Sequence, residues 1–70
     1  MERQRVSSTN VQSIGYDATN HTLEVEYHGG GLYQYFDVPA NMHAALMRTS
    51  SKGRYLNDHI KDHYRCRKIR

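Results

Sequence analysis

Three stretches of the chain combine residue types and spacings that can do chemistry. His59, His63 and Cys66 stand four and three residues apart. On one continuous helix all three would point the same way, and imidazole and thiolate are zinc ligands. A structural zinc needs a fourth ligand, which only His43 or His21 could bring across. The expectation is therefore two half-exposed histidines and a lone thiol, with a metal site as the lesser alternative. Ser50-Ser51-Lys52-Gly53-Arg54 could hold a phosphate. A serine cap leaves backbone N–H groups free at a helix N-terminus, where the macrodipole favours anions. Glycine would let a ligand approach closely, and Lys52 and Arg54 add charge. The flanking strand and glycine spacing of a Walker loop are missing, and the ordinary reading is a capped helix. Tyr33 and Tyr35 share one face of a strand, as do aromatics that stack single-stranded bases.

Catalysis has little support. Cys66 lies between Arg65 and Arg67, but in an expected tail with no base held beside it. Ser7, Ser8, Ser50 and Ser51 are accounted for by turns and caps. The carboxylates are few and scattered. With 70 residues and 37% hydrophobic content, the chain forms one domain that cannot hold both a core and a large enclosed cavity. A non-catalytic protein without cofactor or small-molecule substrate is expected. The single cysteine excludes an internal disulfide, and no apolar run approaches the roughly 18 residues of a membrane span. The opening MERQRVSSTN lacks the apolar segment of a signal peptide. These features lead to the expectation of a cytoplasmic protein.

The charge is divided along the chain. Between Val6 and Met47 there is no lysine or arginine, and the stretch carries −4; from Arg48 to Arg70 the balance is +6. A basic end on a small intracellular domain fits an anionic partner such as nucleic acid, and equally a solvated, partly disordered tail.

The elements that must position these groups follow from periodicity. Val11–Tyr16 reads as a strand with Ile14 and Tyr16 on one face. Thr22–His28 alternates strictly, with Leu23, Val25 and Tyr27 opposite Glu24, Glu26 and His28. Gly29-Gly30-Gly31 reverses the chain into a third strand, Leu32–Phe36. A three-residue loop that pairs Tyr27 with Tyr33 and Val25 with Tyr35 keeps apolar with apolar. This places Tyr33 and Tyr35 in the core and leaves an acidic face, a poor platform for RNA. Asp37-Val38-Pro39 opens a helix ending near Thr49, and a second helix begins near Lys52. Leu56 and Ile60 form its inner face. The expected fold is α+β: a three-stranded antiparallel sheet in the order β-β-β-α-α, with two short helices on one face. Residues 1–5 are expected to be flexible, 6–64 to form the single domain, and 65–70 to form a basic C-terminal segment.

Val6-Ser7-Ser8, Ile14-Gly15-Tyr16-Asp17, Leu23-x-Val25, Tyr33-x-Tyr35, Val38-Pro39, Ser51-x-Gly53, Asn57-x-x-Ile60 and Tyr64 together resemble the KTSC domain family. That family takes its name from the C-terminus of some lysyl-tRNA synthetases and also occurs as free-standing small bacterial proteins. Its central mark is the Tyr-x-Tyr pair. The resemblance implies an association with RNA, through the synthetase context, and assigns no catalytic residues. The combined expectation is an RNA-binding module using Ser51, Lys52, Gly53, Arg54, Lys61, Arg65, Arg67 and Lys68. The alternative is a protein-interaction or self-association module using the sheet edge and an apolar patch of Leu32 and Phe36.

Overall fold

In the computed structural model, which describes residues 2–70, the chain runs through β1 (Arg3–Arg5), β2 (Val11–Asp17), β3 (Thr22–Tyr27), β4 (Leu32–Tyr35), α1 (Ala40–Arg48), α2 (Lys52–His59) and β5 (Cys66–Lys68). The strands form one antiparallel sheet in the order β1-β2-β3-β4-β5. Chain order and sheet order coincide; the two helices are inserted between β4 and β5.

The α+β class is as expected, but the sheet has five strands rather than three. Residues 3–5, expected to be flexible, pair with β2; Met1 lies outside the described residues. The basic C-terminal segment is also not a tail. Cys66–Lys68 pairs with β4, and the pairing continues as Ile69 N–H donates to the Leu32 carbonyl at 2.7 Å.

The β3–β4 register differs from expectation by two residues. Val25 faces Tyr33 and Leu23 faces Tyr35. The turn is His28-Gly29-Gly30, with the Tyr27 N–H donating to the Gly31 carbonyl at 2.8 Å. Gly30 adopts φ +97°, where a side chain would be strained. A shift of two preserves which face each residue occupies, so the expected division of faces stands.

A bulge near Gln12 interrupts the β2–β3 ladder: Val11 pairs with Tyr27 but Ser13 pairs with Glu26. The extra residue lets Val11 and Ile14, three apart, both face the helices. Val11, Ile14, Leu23, Val25 and Tyr35 from the sheet meet Val38, Leu46, Leu56 and Ile60 from the helical layer. Leu46, Leu56 and Ile60 are fully buried. Each such side chain stabilises the fold by about 1.5–3 kcal/mol. α1 begins one residue after Pro39 and ends with the Thr49 N–H on the Ala45 carbonyl. Among the described residues no helix is long and apolar enough to cross a membrane.

His43 of α1 lies flat on Tyr16, with ring centroids 4.6 Å apart and planes 9° apart. The Tyr16 hydroxyl donates to the Val38 carbonyl and so fixes the ring. Burial holds His43 below its ordinary pKa of 6.5. A depressed histidine gives stability that is present above the ordinary value and is lost as pH falls through the lowered one. The melting temperature should therefore fall between about pH 7.5 and 5.5, and His43→Phe should lessen that fall. Identical pH dependence in the two proteins would refute this role.

Candidate nucleic-acid interface

The basic residues of the second half are distributed by α2, the following turn and β5. Lys52 and Arg54 lie in the first turn of α2, beside an open groove of about 460 Å³ between Ser7–Asn10 and Ser50–Arg54. The two loops face each other across it. Ser51 occupies the cap position as expected, but its hydroxyl makes no cap bond. Lys52 Nζ donates to the Thr49 carbonyl at 2.7 Å, tying the ammonium to the end of α1. Gly53 lines the groove, but the close approach that the sequence led us to expect of a ligand there is made by Asn10. A Cβ there would stand 2.9 Å from Asn10 Nδ2, so the space serves the packing of Asn10. Arg54 pairs with Asp58 one turn on, at 3.5 Å on the solvent-exposed surface, which is worth little.

The possible zinc ligands do not converge. α2 ends at His59, and Cys66 lies beyond a turn on β5. His63 Nε2 is instead 3.0 Å from the Asp58 carbonyl. Among the described residues no three His, Cys, Asp or Glu side chains cluster.

β5 is an edge strand whose residues are all exposed. Arg67 pairs with Gln34 and faces outward; Cys66 and Lys68 pair with Tyr35 and Tyr33 and point to the helical side. Arg65 reaches Asp37 at 3.6 Å. Among the described residues Lys61, Arg67 and Lys68 have no carboxylate partner.

The outer face of the sheet is not acidic in effect. Glu24 and Glu26 lie on central β3, and the chain ends cover them. Arg3 Nη1 reaches Glu24 at 2.5 Å, and Arg3 Nη2 lies 3.7 Å from Glu26. Arg70 donates to Glu26 at 2.8 Å. Gln34 and Ser13 complete the carboxylate bonds at 2.9 and 3.0 Å. Burial pushes the Glu24 carboxyl up; hydrogen bonds from Gln34 and Arg3, with the Arg3 charge, outweigh this and hold it below the usual range. With Arg5 and Arg67 on the same side, guanidinium groups outnumber carboxylates there. Arg3, Arg5 and Arg70 were missed because nothing in a sequence places two termini over a central strand.

Tyr33 and Tyr35 are on the helical side, as expected, but differ in depth. Tyr35 is 2% exposed, whereas Tyr33 is half-buried. The Tyr35 and Tyr27 hydroxyls are 3.0 Å apart. Burial, reinforced by that bond, raises the Tyr27 phenol well above its ordinary value. The two rings and Tyr33 line a second recess of about 450 Å³ with Lys61, Asp62 and Cys66. The expected Leu32/Phe36 patch is not formed. Leu32 is 5% exposed and Phe36 is half-buried, because β5 covers the edge that β4 would have shown.

A five-stranded antiparallel meander with two helices inserted before its last strand and a Tyr-x-Tyr pair beneath them defines a small α+β domain of one recognisable kind. The KTSC domain profile matches residues 7–64, and the chain belongs to that family. The crystal structure of a KTSC domain protein from Yersinia pestis superposes with a TM-score of 0.95 at 45% identity, covering 99% of this chain and 97% of that one. An uncharacterised protein of Stutzerimonas stutzeri is 40% identical over 70 residues, 99% of each chain. A lysine–tRNA ligase of Nostoc sp. is 30% identical over 59 residues, which cover 84% of this chain but 10% of the ligase.

Proposed function

We propose that this domain binds RNA through phosphate contacts along its cationic second half, with Lys61, Arg67 and Lys68 as the central contacts. The observation that carries this reading is the exposed edge strand β5, whose cations stand without carboxylate partners beside Lys61. Lys52 and Arg54 extend the surface at the groove, and Arg65 joins once phosphate displaces the exposed Asp37. Such contacts position a backbone and read little sequence. The body measures 27 × 25 × 23 Å, so few phosphates can be touched at once and binding is modest. The presence of a similar domain within a tRNA ligase supports the reading, because a weak phosphate-binding surface raises the local concentration of tRNA for its neighbour.

The test is fluorescence anisotropy of a labelled RNA hairpin at several salt concentrations. Affinity should fall by about tenfold or more between about 50 and 200 mM salt if three or four phosphates are neutralised. Salt-independent binding, or none at low salt, would reject this reading. The second reading, a protein-interaction module, draws on the same open edge of β5, which can accept a partner strand.

A further inference from the structure

We infer that the recess beneath Tyr33 holds the base of an unpaired nucleotide. The inference rests on the RNA reading and adds to it a second site and a preference for single strands. The ring of Tyr33 is half-exposed yet fixed on several sides. It lies over Gly31, where an added Cβ would stand 3.1 Å from Tyr33 Cε1. Tyr27 meets it edge-on at 5.6 Å and 80°, and Tyr35 lies 6.5 Å away at 25°. A ring already held in place loses little freedom when a second ring stacks on it.

The walls identify the occupant. The aromatic groups accept any planar π-face. Lys61 Nζ stands 5.2 Å from the Tyr27 centroid, and Lys68 is paired directly across from Tyr33 on the same side. An occupant that satisfies both features carries an aromatic ring and an anionic group within a few bonds, as a nucleotide does. Asp62 is the one carboxylate at the wall and offers an acceptor to a base amino or ring N–H group. A purely apolar peptide would offer no anionic group to Lys61 at the wall or to Lys68 on the neighbouring strand. Tyr27 and Tyr35 bind each other through their hydroxyls and form the floor.

The test compares a short single-stranded RNA with an abasic strand of the same length and phosphate count, by anisotropy at low salt. The wild type should prefer the base-bearing strand by about tenfold, the scale of one base stacking on an aromatic side chain. Tyr33→Leu should erase that preference without changing affinity for the abasic strand, and Tyr33→Phe should keep it. Should Tyr33→Leu fail to fold, ring-proton shifts of Tyr33 in the wild type give the same answer. They should move with the base-bearing strand and not with the abasic one. Equal affinity of the wild type for both strands, or a preference that survives in Tyr33→Leu, overturns the base site while leaving salt-dependent RNA binding intact. Failure of both strands to bind overturns the RNA reading and this inference together.

Discussion

Replacing Arg3 by methionine is expected to destabilise the domain by about 2–3 kcal/mol, a large share of the roughly 5 kcal/mol available to a chain of this size. The reason lies in what remains. Glu24 is 7% exposed, and without Arg3 its charge keeps only the amide of Gln34. Breaking one partner of a buried pair costs more than the pair itself contributes, because the remaining charge is desolvated without compensation. The partial exposure of Arg3, 27% at the side chain, holds the cost below that of a fully enclosed pair. The effect has a sign in pH. In the wild type the lowered Glu24 carboxyl gives stability that is present above the usual carboxylate range and is lost as pH falls through the lowered value. In Arg3→Met only the Gln34 amide still opposes burial, the carboxyl rises, and the variant's deficit should be largest near neutral pH and shrink as acid protonates Glu24. Urea midpoints measured from about pH 3 to 7 report both effects. Adding Glu24→Leu should restore most of the loss; a double variant as unstable as Arg3→Met would mean that Arg3 acts through packing alone.

Glutamine at Lys52, Arg54, Lys61, Arg65, Arg67 and Lys68 together should lower affinity for an RNA hairpin by about 100-fold at low salt and flatten the salt slope nearly to zero. All but Lys52 are exposed, so the fold should survive the six changes. Circular dichroism and the melting temperature verify that. The triple change at Lys61, Arg67 and Lys68 should account for most of the loss, since the other three begin with intramolecular partners. Unchanged affinity in a folded six-site variant would exclude the cationic half as the contact surface. Loss from the Lys52 and Arg54 pair alone would move the site to the groove.

The parts of this structure legible in the sequence are those specified by period. Leu23, Val25 and Tyr27 alternate with Glu24 and Glu26, and that alternation placed β3 and its two faces. The four-residue step from Leu56 to Ile60 placed the inner side of α2. The strands that were not legible, Arg-Gln-Arg and Cys-Arg-Lys, have no apolar alternation because both lie at edges and bury no apolar side chain of their own. Only pairing with β2 and β4 makes them strands. The register slipped because Gly31 looks like a turn residue yet pairs with Tyr27, while the turn takes His28. Gly53 misled for a related reason: its neighbour Asn10 is far away in sequence. The candidate site was legible in its charges but not in their arrangement, since the routing of the chain ends decides which cations remain free.

The two edge strands also bear on how the domain opens. Chain ends ordinarily fray, and their amides exchange with solvent hydrogen long before the core unfolds. Here Arg3 and Arg70, from opposite ends, converge on Glu26. Detaching either strand strips a guanidinium from a carboxylate that is poorly placed to reach water. Local opening of β1 or β5 therefore carries much of the cost of opening the centre. The amides that β1 donates to β2 should exchange at rates closer to those of β3 than to those of the loop around Ser8, with the termini acting as a latch on the middle of the sheet.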